Sequence, residues 1–240
     1  VSKKTLYSHF RSKEELILSC TRSTARISSV YPFIRRLAAS GPHPMTRTSD
    51  LPAASRRDHL IQTAGRLFAR DGFHATGIDK IILEAGVSKK TLYSHFRSKE
   101  ELILAVLRVH DSAFRNHFMR DVEKNGRDAR GRLAGLFDAA ENWFEEPGFY
   151  GCIFINAVGE YAQASPPIRS ACQDFKNMMR AFILKLCREA GASEPEALAD
   201  ELALLFEGAT VTAQVSGSSH AARTAKRAAL ALIGEHFSRA

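Results

Sequence analysis

Apolar residues recur along this chain at intervals of three and four, and almost nowhere do they alternate with polar ones. That periodicity confines the backbone to helices, since a strand with one apolar face needs a repeat of two. Leu60, Ile61, Ala64, Leu67 and Phe68 form one stripe that stops at Asp71-Gly72, where glycine permits a left-handed exit, so a first helix is expected over about residues 55–70. Thr76 is placed to cap a second helix, about 77–84, with Asp79 three positions on and Ile78, Ile81 and Ile82 on its apolar side. Ala85-Gly86-Val87 breaks it. Ser88 caps a third helix reaching about Phe96, and Ser98 with Glu101 makes a capping box for a fourth. Further helices are expected over about 128–145, 149–163, 167–190, 195–215 and 221–237, punctuated by glycine and proline.

Two short helices joined by a glycine-containing turn are a helix-turn-helix pattern. The chain therefore reads as all-α, with an N-terminal three-helix DNA-binding unit and a larger C-terminal helical domain. Three segments are expected: an extension over 1–54, the helix-turn-helix over 55–100 and the helical body over 101–240. Charge divides along the same lines. Residues 45–99 hold ten Lys/Arg against five Asp/Glu, whereas residues 100–240 hold sixteen against nineteen. A basic module on an acidic body suits a nucleic-acid reader carried by a domain with another task.

A DNA-reading helix exposes polar side chains near its N-terminus while its other face is pinned to a supporting helix. In VSKKTLYSHF, Val87, Leu92 and Phe96 fall on the side that can pack on Ile78, Ile81 and Ile82. Ser88, Lys89, Lys90, Thr91, Tyr93 and His95 are left for the duplex. Lysines reach phosphates or guanine edges, threonine bonds phosphate or touches a thymine methyl, and a tyrosine hydroxyl bonds phosphate. Lys99 adds a cation in the first turn of the next helix.

The run from Gly72 to Leu107 resembles the DNA-binding domain of the tetracycline-repressor (TetR) family of bacterial regulators. The resemblance rests on Thr76, Ala85 to Val87, Thr91 to Tyr93, Phe96 and Ser98 to Leu102, with Ile82 standing where a small residue is more usual. It implies a homodimer that binds a palindromic operator as a repressor and is released by a small-molecule effector bound in the C-terminal domain. It also implies that Thr91, Tyr93, His95 and Lys99 contact DNA, that Lys89 and Lys90 read bases or clamp phosphates, and that Thr76 touches a phosphate. The fourth helix would transmit ligand occupancy.

In residues 195–217, Leu198, Leu202, Leu205 and Ala209 mark one apolar stripe and Leu204, Gly208, Val211 and Val215 another. A helix apolar on two faces is buried on two sides. With Leu230 and Ile233 of the alanine-rich last helix, the second stripe is expected to form a two-fold four-helix interface. For the ligand, Asn156 and Glu160 lie one turn apart in an apolar helix, and Trp143, Phe144, Phe154, Tyr161, Phe175, Met178, Met179 and Phe182 are the expected apolar lining. Internal satisfaction of Asn156 and Glu160 within a packed core is the competing reading.

Enzyme chemistry finds no support: no Ser/His/Asp or Cys/His pairing, no phosphate-cradling glycine loop and no metal-ligand set stands at informative spacing. No cofactor is expected. The four cysteines have no CxxC spacing and read as reduced thiols of a cytoplasmic protein, with no membrane segment. An architectural DNA binder without an effector remains the alternative to a ligand-responsive regulator. Finally, residues 1–18 repeat residues 87–104 letter for letter, without a supporting helix before them. We expect residues 1–44 to be an upstream extension dispensable for dimerisation and operator binding.

Overall fold

The computed structural model describes residues 53–161 and 166–238. The duplicated fragment and the rest of residues 1–52 lie outside them. The described elements are all helices: α1 (Ala53–Asp71), α2 (Ile78–Ala85), α3 (Lys89–His95), α4 (Lys99–Asn125), α5 (Ala129–Phe144), α6 (Ile153–Tyr161), α7 (Pro166–Ala190), α8 (Pro195–Ser216) and α9 (His220–Ser238).

Local chemistry sets the ends of the first four. Gly86 sits at φ 61°, the left-handed position that ends α2 and turns the chain toward α3. Ser88 Oγ accepts the Thr91 N–H at 3.1 Å and starts α3. Ser98 Oγ accepts the Glu101 N–H, and the Glu101 carboxylate reaches back to accept the Arg97 N–H at 2.6 Å. The expected cap at Thr76 is corrected: Gly77 is the N-cap of α2 and supplies no side-chain bond. Thr76 is fully buried, and its hydroxyl donates to the Gly72 carbonyl at 2.7 Å, closing the loop after α1.

Helix α4 runs 27 residues, about 40 Å, and packs on α1 at one end and on α5 and α7 further along. It therefore crosses the expected domain boundary at residue 100 as one continuous element. Around it α5, α7, α8 and α9 pack against one another, while α6 leans on α7. The inner stripe of α8 is buried through Leu198, Leu202, Phe206 and Ala209. Its buried Thr210 hydroxyl is satisfied by the Phe206 carbonyl at 2.8 Å. The outer stripe stays open, with Leu204 74% and Val215 83% exposed, alongside Gly208 and Val211, and Leu230 on α9. Ile233 does not join them. It is 4% exposed and belongs to the chain's own core, because in an alanine-rich helix the buried face is the one carrying Ala222, Ala225 and Ala229. None of the helices described is long and apolar enough to cross a membrane.

Candidate nucleic-acid interface and the helix that steadies it

Helix α3 is pinned by two side chains, Leu92 and Phe96, at 0% and 1% exposure. They pack into a core that includes Leu60, Ile81 and Ala85, with Ile78, Ile82 and Val87 half-buried around them. The opposite face carries Lys89, Lys90 and Tyr93 in the open, with Thr91 and His95 half-buried at its flanks. Ser88 is exposed, but its hydroxyl is engaged as the helix cap and lies 2.8 Å from Thr91 Oγ1. Lys89 Nζ stands 3.4 Å from Asp79 on α2, an exposed pair that phosphate can outcompete. The Arg57 guanidinium lies 5.1 Å from the Phe96 ring centroid, adding a cation from α1 that residue spacing does not single out. Between α1 and α2, Asp71 bonds Arg70 and Lys80, and those partners hold its carboxyl at about 2.

The Thr76 hydroxyl is buried and bonded to the Leu67 and Gly72 carbonyls. Lys99 is half-buried, and its ammonium reaches the His74 carbonyl at 3.5 Å. It borders a junction that residue spacing did not reveal. Glu160, from α6, accepts the Phe73 N–H at 2.8 Å and the His74 N–H at 2.6 Å, and its Oε2 lies 3.1 Å from His74 Nδ1. Tyr161 stacks on the His74 ring at 4.4 Å and 12°, and meets Phe73 edge-on. Partial burial opposes ionisation of Glu160, yet the backbone N–H groups of His74 and Phe73 outweigh it and hold the carboxyl below its ordinary value. Glu160 and Tyr161 thus hold the loop between α1 and α2.

Asn156 is likewise occupied. Its Oδ1 accepts from Gln214 Nε2 at 3.0 Å and its Nδ2 donates to the Tyr150 carbonyl at 3.2 Å. Gly151 makes that approach possible, since a Cβ built there would overlap the Gln214 side chain. The aromatic side chains do gather. Phe114 of α4 is the hub, 4.9 Å from Trp143, 5.0 Å from Phe118 and 5.7 Å from Phe175. Phe175 stacks on Phe154 at 3.8 Å, and Trp143 meets Phe144, Phe149 and Phe206. Met179 is buried nearby on α7, with Met178 and Phe182 half-buried. His110, Phe114 and Phe118 recur every four residues, a stripe visible in the sequence but not singled out there as lining. Burial pushes the His110 pKa down to about 4, against the attraction of Asp111, so the ring is neutral at physiological pH. Among the described residues no three His, Cys, Asp or Glu side chains cluster as metal ligands.

Known proteins share this architecture. Residues 60–106 match the family described as bacterial regulatory proteins, tetR family, and residues 129–229 match the tetracyclin repressor-like C-terminal domain family. The HTH-type transcriptional activator FasR of Mycolicibacterium smegmatis is 36% identical over 132 residues, which cover 53% of this chain and 60% of FasR. The HTH-type transcriptional repressor NemR of Escherichia coli K12 is 27% identical over 175 residues, 68% of this chain and 85% of NemR. The crystal structure of SCO4454, a TetR-family transcriptional regulator from Streptomyces coelicolor, superposes with a TM-score of 0.71 at 28% identity, covering 76% of this chain and 96% of that one. With both halves matched in order and the helix-turn-helix in place, the chain belongs to the TetR family.

Proposed function

We propose that this protein is a homodimeric, operator-binding transcriptional repressor, acting in the cytoplasm and released from DNA by a small-molecule effector. The observation that carries the reading is α3: Leu92 and Phe96 anchor it from beneath while Lys89, Lys90 and Tyr93 remain open to a duplex, with Thr91 half-buried beside them. NemR, a repressor, is matched over 85% of its length, whereas FasR, an activator, is matched over 60% of its own. In a two-fold dimer, a second α3 enters the next major groove about 34–36 Å away, which calls for a palindromic site. The decisive experiment is a mobility-shift titration on the promoter beside the gene. Thr91→Ala with Tyr93→Phe should weaken specific binding about tenfold or more, while Lys90→Ala should weaken all sequences alike and reduce the salt slope by about one. Equal affinity for every sequence, unaffected by Thr91 and Tyr93, would leave a nonspecific DNA binder and end the repressor reading.

The open stripe of α8 supports the dimer. Leu204, Gly208, Val211 and Val215 lie on one face, and a Cβ placed on Gly208 would meet nothing within 4 Å, leaving room for a partner backbone. Val211→Glu places a charge in that seam, so the expected result by sedimentation is a monomer of unchanged helicity that no longer shifts operator DNA. A dimer that persists in this variant would put the interface elsewhere.

The buried aromatic cluster around Phe114 supports an effector site, and α6 supplies a connection from it to DNA. Phe154 on α6 stacks within the cluster, and six residues later Glu160 holds the α1–α2 loop. An effector that shifts α6 then shifts the frame on which α3 rests.

A further inference from the structure

Trp143 carries a donor with nothing to donate to. Its indole Nε1 is buried without a hydrogen-bond partner, and the residue as a whole is 7% exposed. A buried donor left unpaired is destabilising, and buried indole N–H groups usually find an acceptor. A core built for stability alone would do better with phenylalanine at this position, which packs a ring and brings no donor. The four rings that meet the indole, Phe114, Phe144, Phe149 and Phe206, offer it no oxygen.

The surroundings also restrict charge. Those four rings are uncharged, and His110, which stacks on Phe114, is neutral because burial pushes its pKa down to about 4. The Lys176 ammonium, 5.7 Å from the Phe175 ring centroid, is already matched by both Glu207 oxygens at 2.5 and 2.6 Å. An anion brought against these rings would lose its hydration, and the Lys176 ammonium is already committed to Glu207. Of the four neighbours, Phe114, Phe144 and Phe206 belong to helices. Phe149 lies in the connection before α6, half-buried and edge-on to the indole at 5.1 Å and 85°. Of the four it is the ring that no helix holds.

We propose that Trp143 is the polar anchor of a ligand site, and that its ligand is an uncharged, ring-bearing molecule. The ligand's carbonyl or ether oxygen accepts the indole N–H while its ring takes the place of Phe149. This assignment deepens the effector reading above and rests on it. Two probes of nearly equal shape separate the donor from simple apolar burial: 2-acetylnaphthalene, which carries an acceptor, and 2-ethylnaphthalene, which does not. Binding is measured by calorimetry on the full chain. Because Trp143 is the one tryptophan in the sequence, its fluorescence locates each probe.

The ketone should bind about tenfold tighter than the hydrocarbon, as one neutral hydrogen bond allows, and Trp143→Phe should bring the two within about twofold. Equal affinities in the unaltered protein, a preference that survives Trp143→Phe, or no binding of either probe overturns the proposal. If Trp143→Phe does not fold, the Raman band of the indole N–H serves instead. A shift with the ketone alone supports the anchor, and no shift overturns it. Operator release then separates the two ideas. Ketone binding through Trp143 that leaves the operator complex intact keeps the site and removes the effector reading. Release by the hydrocarbon as readily as by the ketone keeps the effector reading and overturns the anchor.

Discussion

Glu160→Gln should leave the fold intact, lower the melting temperature by a few degrees and weaken operator binding about tenfold. The glutamine is isosteric, but one carboxylate oxygen becomes an NH2 group that faces a backbone N–H, from either Phe73 or His74. A charge-assisted bond is lost and a donor is set against a donor. With the side chain 29% exposed, about 2 kcal/mol is a reasonable cost after allowance for solvent, or about 4–8 °C in a domain of this size. Operator affinity suffers because the α1–α2 loop carries α2, and α2 carries the floor under α3. Acid should act in the same direction. The folded pKa of Glu160 is depressed below 4.5, so its stabilisation is complete above the ordinary glutamate range and disappears as pH falls through the depressed value. Calorimetric melts from pH 7 down to about 3 should show the unaltered protein converging on the variant. Equal operator affinity in the two proteins would mean that the clamp is only structural.

Phe114→Ala should be the more damaging change to the body, costing about 3–5 kcal/mol. Its ring touches those of His110, Phe118, Trp143 and Phe175, so removal strips packing from α4, α5 and α7 together. The aromatic pairings alone contribute about 0.5–1.5 kcal/mol each beyond their buried area. Denaturant titrations should show a clear drop in midpoint at similar slope, with Phe114→Leu intermediate. A loss below about 1 kcal/mol would show that the neighbouring rings close the gap, and that this cluster is more deformable than its contacts imply.

Helix existence and the pinned face of α3 are legible in the sequence because both follow from local rules: apolar spacing, serine caps and the glycine at position 86. The observed α2 and α3 lie within a residue or so of expectation. What escapes is long-range. Glu160 and Phe73 stand 87 positions apart, and no spacing rule pairs a carboxylate with the backbone of a distant loop. Thr76 has the composition of a cap, but its hydroxyl turns inward because the loop after Gly72 needs a donor more than α2 does. Ile233 is misplaced by its spacing because α9 is rich in alanine, whose small side chain gives little contrast between faces. The aromatic set is half legible: its members on α5, α6 and α7 stand out in apolar stretches, while the hub on α4 hides in a helix whose expected part is transmission and not lining.

Helix α6 is short, nine residues, and is held at both ends by different partners. Near its start Asn156 bonds Gln214 of α8, the helix whose outer stripe is open; at its finish Glu160 bonds the α1–α2 loop. Each residue added to a helix turns the downstream chain by about 100° and advances it about 1.5 Å. A single insertion or deletion between Asn156 and Glu160 would therefore swing one of these attachments to the wrong side of the helix. The length of this segment is therefore not free to drift.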